Sequence, residues 1–291
     1  MFQDAVGRAE VFTQPVITST LRRSGQVSTS LASFVIVNDA GWAVTAAHVM
    51  ATEFEAGRSQ KAIDAWKAQV DAIKADASLT SARRKSLLGR VPNDPTWIEK
   101  HSYWWGYDGA TAGQVIVDQL ADLAFVQLAG YPTNGITEFP VFGNPASHIR
   151  PGGSLCRLGF PFNELESSWD AGAGQFKLKP GTLPVTRFAL DGMYARMLVV
   201  EEQASGRRVS FIETSTPGLR GQSGGPIFDF AGTVWAIQSQ TMHLELGFHP
   251  TVTVGGKRST EHQFLNAGLG SDVAEIVRMA QDNGISLNIH P

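Results

Sequence analysis

Three side chains in this sequence are of the types that acyl transfer needs: an alcohol at Ser223, an imidazole at His48 and a carboxylate at Asp122. A serine hydroxyl is a weak nucleophile until a neighbouring base takes its proton, and a neutral imidazole is the side chain best matched to that task near pH 7. Ser223 lies in Gly221-Gln222-Ser223-Gly224-Gly225-Pro226. Small residues before a serine let the backbone turn its N–H groups toward one point, where they can hold an oxyanion. Gly224 and Gly225 are expected to keep the space around Oγ open. A plain glycine-rich turn between two strands is the competing reading of the same residues.

His48 closes Thr45-Ala46-Ala47-His48. The small residues before it let the ring stand clear of its neighbours, as a general base must; an ordinary packed histidine fits the same pattern. Asp122 opens Asp122-Leu123-Ala124-Phe125-Val126. A carboxylate at the mouth of so apolar a strand is costly unless a donor accepts its charge. An imidazole N–H is such a donor, and a carboxylate that caps a turn is the alternative. Asp118 is a second candidate, ranked lower because its flanks are less apolar.

Strands must position these groups. Residues 11–21 and 27–37 are rich in Val, Ile, Thr and Phe and are split by Ser24-Gly25, which predicts an antiparallel pair. Asn38-Asp39-Ala40-Gly41 signals a hairpin turn into a strand at Trp42-Ala43-Val44-Thr45, leaving His48 at a strand end. Over 53–90 the rhythm changes: Ile63, Trp66, Val70, Ile73 and Ala77 recur at steps of three and four, an amphipathic helix, with a second short helix at 80–88. Its apolar stripe is expected to pack on the adjoining strands, and a regulatory protein partner docking on this insert is the sharper alternative.

Aromatic residues 97–107 and the apolar stretch 111–128 return to strand. Residues 130–144, with Pro132, Asn134-Gly135, Pro140 and Gly143-Asn144, read as the connection between two halves. Further strands are predicted at 154–158, 181–190, 196–201 and 210–214, a hairpin around 227–240, and a terminal helix at about 271–282 stopped by Asn283-Gly284. Helices do not alternate with these strands, which disfavours a parallel sheet.

Length and composition set the outer limits. The 291 residues can bury one large core or two smaller ones; 43% hydrophobic and 18% charged residues with a net charge of -3 describe an ordinary globular protein. No basic excess points to nucleic acid, and no stretch is long and apolar enough to predict a membrane span. Cys156 is the single cysteine, so no intrachain disulfide is expected; with an acidic, interrupted N-terminus unlike a leader, this predicts a cytoplasmic protein. No His-Glu-x-x-His or paired-cysteine spacing predicts a metal, and no cofactor is expected.

Taken together, the blocks around His48, Asp122 and Ser223 resemble the three signature blocks of the trypsin-like, chymotrypsin-fold serine peptidases, in that family's order and in the manner of its bacterial disulfide-free members. The resemblance runs from about Leu31 to Thr241 and leaves the 53–90 insert outside it. It implies an all-β protein of two six-stranded antiparallel barrels, at 1–135 and 136–291, with the helical insertion in the first and a C-terminal helix on the second. It also implies a polypeptide substrate, with His48 as base, Asp122 as its orienting partner, Ser223 as nucleophile, and the N–H groups of Gly221 and Ser223 as the oxyanion hole.

Departures from the family pattern refine this. Gln222 stands where digestive members carry an aspartate before the serine, so activation by N-terminal clipping is not expected. Alignment places Pro217 at the base of the specificity pocket, Ser239 behind the triad, Gln240 along the substrate backbone and Thr241 at the pocket's neck. The pocket then has no anion for Lys or Arg and a narrowed entrance, which predicts small or medium uncharged residues before the cut. Gly221-Gln222-Ser223-Gly224-Gly225 also matches Gly-x-Ser-x-Gly of α/β-hydrolases, but Pro226 and a strand follow where that fold needs a helix. The remaining alternative is a binding or scaffold module on a protease fold, with catalysis latent or absent.

Overall fold

The computed structural model describes residues 2–132, 136, 138–147 and 149–291. The chain begins with helix α1 (Gln3–Phe12), which buries Ala5, Ala9 and Phe12 along one face. The sequence reading began a strand at residue 11; the strand instead starts at Thr13, directly after the helix. Strands β1 (Thr13–Arg22) and β2 (Val27–Ile36) form the predicted antiparallel hairpin. Gly25 supplies the left-handed residue of its turn. Next come β3 (Trp42–Thr45), a 3-10 turn at Ala47–Met50, and helices α2 (Ala51–Ala75) and α3 (Ser81–Leu88). Thr80 caps α3 by accepting the Arg83 N–H.

Helix α2 lays Ala56, Ser59, Ile63 and Val70 against the first sheet and turns its charged residues to solvent. It packs on β4 (Ile98–Trp104), as the periodicity predicts. Strands β5 (Thr111–Asp118) and β6 (Leu123–Ala129) complete a six-stranded antiparallel sheet in the order β4-β1-β2-β3-β6-β5. Its two edge strands are not joined by a ladder among the described residues. The interior is filled by side chains instead: Trp105 meets Phe34 edge-to-face at 5.3 Å and stacks on Tyr103 at 5.6 Å.

The predicted turn at Asn134-Gly135, and with it the expected boundary at 135/136, lies outside the described residues. Beyond it come β7 (Val141–Phe142), β8 (Ser154–Gly159), a hairpin of β9 (Ser167–Asp170) and β10 (Gln175–Leu178), β11 (Phe188–Glu201) and β12 (Arg208–Thr214). These are followed by β13 (Pro226–Phe228), β14 (Thr233–Glu245), a hairpin of β15 (Thr251–Val254) and β16 (Lys257–Thr260), β17 (Phe264–Asp272), helix α4 (Val273–Asp282) and β18 (Asn288–Ile289). Six of these strands close on themselves in the order β13-β8-β11-β12-β17-β14, with β14 returning to β13, so no edge is left in that ring.

The predicted strands at 181–190 and 196–201 are one long strand, β11, and residues 181–187 precede it. Gly192 continues the strand because a side chain there would meet Thr216 Oγ1 at 2.3 Å, a close approach and not a break. The β9–β10 hairpin, which sequence periodicity did not reveal, is tied by Trp169 against Phe176 across the strands.

The two sheets share a core. Val35, Val44, Leu123 and Phe125 from the first pack with Leu158, Phe211, Phe228 and Ile237 from the second, and α1 and α4 add their apolar faces to the same cluster. The N-terminal helix therefore rests on the second barrel, with Phe2 edge-on to Phe228.

Candidate active site

His48 sits in the 3-10 turn that follows β3, where Ala46 and Ala47 are buried and leave its ring half-exposed. Asp122 lies one residue before β6, in the left-handed region at φ 49°. The two meet closely. His48 Nδ1 is 2.9 Å from Asp122 Oδ2 and 3.1 Å from Oδ1, and the His48 backbone N–H donates to Oδ1 at 3.0 Å. A carboxylate against Nδ1 fixes the tautomer with its proton there and leaves the lone pair on Nε2. The hydrogen bond to Asp122 raises the His48 pKa above its ordinary 6.5, against the opposing effect of burial.

Asp122 carries a further donor: Ser239 Oγ–H reaches Oδ2 at 2.5 Å. Ser239, expected behind the triad, is thus in contact with the Asp122 carboxylate. Asp118 does not touch His48; its carboxylate pairs with Arg207 and Arg278.

Ser223 lies on the turn between β12 and β13. The Gln222 N–H donates to Leu219 O at 2.9 Å, and Gly221 has φ 95°, so Leu219–Gln222 is a type II turn with glycine at its third position. That turn type sets the direction of the Arg220–Gly221 peptide; a type I turn on the same residues would rotate it by about half a turn and exchange the Gly221 N–H for a carbonyl. Two bonds to the Gly221 carbonyl hold the geometry, from Phe160 N–H at 3.0 Å and Ser33 Oγ at 2.7 Å. Gln222 is fully buried, and its Oε1 accepts the Leu219 N–H at 2.9 Å. A neutral amide thus braces this loop from within, at the position where digestive relatives keep an aspartate.

The glycines serve a purpose other than the one expected. A Cβ on Gly224 would lie 2.1 Å from both Ser33 O and Thr45 Oγ1, and one on Gly225 would lie 2.1 Å from Leu158 O. Their role is close approach, of Gly224 to the first sheet and of Gly225 to β8 within the second barrel, more than open space around Oγ.

Ser223 Oγ donates to Ser239 O over a long 3.4 Å, and no hydrogen bond joins it to His48 in this structure. His48 and Ser223 nonetheless line two cavities together, of about 820 and 500 Å³. The first is also lined by Pro217, Ser239, Gln240 and Thr241, so all four predicted pocket residues converge on it. Thr241 Oγ donates to Gly218 O at 2.6 Å, a bond between two residues that line this cavity.

Sequence reasoning missed two residues here. Gln238 lines the same cavity, its amide Nε2 donating to Gln240 O and Leu269 O, both at 3.1 Å. Arg157 is 2% exposed, with its guanidinium donating to Thr214 Oγ and, at 2.9 Å, to the carbonyl of Thr216, the residue before the cavity-lining Pro217. Burial pushes its pKa down to about 10. No periodicity could reveal an arginine inside an apolar strand as a pocket neighbour, since Cys156 and Leu158 on either side predict only burial. No group of three or more His, Cys, Asp or Glu side chains among the described residues is placed to hold a metal.

Residues 32–237, more than two thirds of the chain, match the model of a trypsin-like peptidase domain. No curated protein matches the sequence. Among solved structures, the active form of the Rv3671c protease from M. tuberculosis is similar at 12% identity and TM-score 0.49, over 98% of this chain and 86% of that one. The HtrA-type protease AlgW with a tripeptide is similar at 16% identity and TM-score 0.48. That match covers 98% of this chain but 65% of AlgW, so the chain spans less than two thirds of that relative.

Proposed function

The chain belongs to the trypsin-like peptidase family, and on that premise we propose that this serine endopeptidase works through Ser223, His48 and Asp122. The observation that carries the reading is the Asp122 carboxylate seated on His48 Nδ1, which directs the basic Nε2 toward the cavities that Ser223 also lines. The reading requires that rotation about the Ser223 Cα–Cβ bond exchange the long bond to Ser239 O for one to that nitrogen.

In the proposed mechanism His48 Nε2 takes the Oγ proton as Oγ bonds to the substrate carbonyl carbon, and the carbonyl oxygen becomes an oxyanion. The N–H groups of Gly221 and Ser223 receive it; no hydrogen bond within the described structure engages either group. Collapse breaks the C–N bond, and the leaving amine takes the proton from His48. Water then repeats the sequence on the acyl-enzyme and restores Ser223. Atoms balance with peptide and water alone, so the cycle as written calls for no cofactor.

The proposed specificity is for small or medium uncharged residues before the cut, with Pro217 at the floor, Gln240 along the substrate backbone and Thr241 at the neck. Two features support it: Thr241 Oγ bonded to Gly218 O, which holds a β-branched side chain in the cavity lining, and the buried Arg157 cation bonded to Thr216 O beside Pro217, which disfavours Lys and Arg. The cytoplasm remains the proposed compartment, in keeping with a buried Cys156 whose thiol is pushed up to about 11 by burial. No helix among the described residues is long and apolar enough to cross a membrane.

One observation favours the second reading, a latent module regulated through the helical insert: the Ser223 hydroxyl is turned to Ser239 O. Fluorophosphonate labelling separates the two. Labelling of the purified protein that is abolished in Ser223→Ala supports the enzyme reading. Labelling that appears only when lysate is added supports latency, and none under either condition overturns the nucleophile.

A further inference from the structure

The turn that presents Asp122 belongs to the first sheet, yet the groups that fix its shape come from the second barrel. Asp118, at the end of β5, receives Arg207 through two guanidinium nitrogens and Arg278 Nη2 at 2.7 Å. Arg207 lies on the β11–β12 connection and Arg278 on α4. The same Asp118 carboxylate reaches inward: its Oδ1 accepts the Ala121 N–H at 3.1 Å. The carbonyl of the same Ala121 accepts Ser271 Oγ–H from β17 at 2.6 Å. Asp122 itself then takes its left-handed conformation, with its N–H on Gln119 O at 3.4 Å.

A left-handed aspartate is strained unless its surroundings over-determine it. Here the surroundings are an ion cluster. Glu275 completes it, 3.3 Å from Arg278 Nε and 3.8 Å from Arg207, while also accepting the Ser210 N–H. Burial by itself would raise the Asp118 carboxyl, but the hydrogen bonds from Arg207, Ala121 and Arg278 outweigh it and hold it below the usual carboxylate range.

We infer that Asp118 is a positioning residue: locked by Arg207 and Arg278, it carries the docking of the two barrels into the Gln119–Asp122 turn and so sets Asp122 against His48. The inference rests on the triad reading above. It makes correct placement of the catalytic acid a property of the barrel interface and not of the first sheet alone.

The test is Asp118→Asn, which keeps the shape but weakens the grip on both guanidiniums. The titratable or charged side chains that share the large cavity with His48 are Asp122, Arg220 and His243; Asp118→Asn removes a negative charge and Arg207→Gln with Arg278→Gln removes two positive ones, so a downward shift of His48 in both reports placement of Asp122 and not direct charge. With Asp122 less well seated, His48 loses part of what raises its pKa. The acid limb of the activity profile then moves to lower pH, and kcat falls about 10- to 100-fold with KM little changed, the scale on which an ångström of misplacement acts.

The His48 titration is also followed by NMR in the Ser223→Ala background, which needs no turnover. If wild-type Ser223 fails to label, the triad reading fails, while the NMR shift still decides the role of Asp118. Should Asp118→Asn not fold, Arg207→Gln with Arg278→Gln leaves the carboxylate in place and removes its anchors, and the same downward shift is expected. Arg278→Lys, which keeps one charged donor, restores part of it. A folded variant of either kind whose His48 titration and kcat match the wild type overturns the inference.

Discussion

Asp122 and Ser223 each sit on a turn completed from the opposite sheet, but by different contacts. The Asp122 turn is held by Arg207, Arg278, Ser239 and Ser271, that is, by charges and hydroxyls on the second barrel. The Ser223 turn is held by Ser33, whose N–H donates to Ser223 O at 2.8 Å and whose Oγ donates to Gly221 O, and by Gly224 laid against Ser33 and Thr45. The acid side of the site should therefore respond to charge and pH, and the nucleophile side to volume. Neither half is complete within its own sheet, which explains why residues so far apart in sequence are sensitive to one interface.

The largest effect that can separate the two halves is on the acid side. Asp122→Asn keeps the shape but loses the charge and favours the wrong imidazole tautomer, so kcat should fall on the order of 10⁴-fold, as for the acid of other Ser-His-Asp triads. Direction in pH follows from the raised His48 pKa. The base must be neutral, so wild-type activity is lost as pH falls through a value above 6.5, and in the variant that limb moves down.

Stability runs the other way. Protonated His48 beside Asp122 stabilises the fold fully below the unfolded pKa of about 6.5, and this is lost as pH rises through the folded value. Thermal melts of wild type and variant across that window should converge at the alkaline end. Parallel melts at all pH values would show that charge does not hold this half together.

Gly224→Ala tests the other half. The new Cβ would lie 2.1 Å from a backbone oxygen, at φ 83°, where neighbouring main chain must shift. Overpacking and the left-handed conformation together should cost about 3 kcal/mol, seen as a lower melting temperature. Because the clash is uncharged, salt should leave that loss unchanged. A variant as stable as wild type would mean that the sheets meet less tightly than the contact implies.

What the sequence shows follows the same division. Local pattern was legible: the alanines before His48 and the apolar run after Asp122 mark a strand end and a strand start, and the structure seats those two side chains on one another. Periodicity also revealed α2, since Ile63 and Val70 face β4 at helical spacing. Contacts between distant segments were not legible. Asp118 looked like a weaker version of Asp122 because its partners, Arg207 and Arg278, lie far along the chain. Arg157 likewise finds its partners, Thr214 and Thr216, far along the chain. Helix α1 was hidden because Val11 and Phe12 run directly into the β-branched residues of β1.

The smallest effect expected concerns specificity, where the two halves are bridged by one side chain. Thr241 on β14 donates to Gly218 O, on the loop leading to Ser223, and both residues line the larger cavity. Thr241→Gly removes both the bond and the bulk while leaving His48, Asp122 and Ser223 untouched. A peptide library read before and after should then show kcat/KM for Leu or Phe at the residue before the cut rising about 10-fold or more relative to Ala, the discrimination that a methylene or two of pocket space supplies. Cleavage after Lys or Arg should stay poor in both proteins, because the buried Arg157 cation is unaltered. Strong cleavage after Arg in the widened variant would place the electrostatic filter elsewhere. An unchanged library profile would show that the substrate side chain does not enter through this neck.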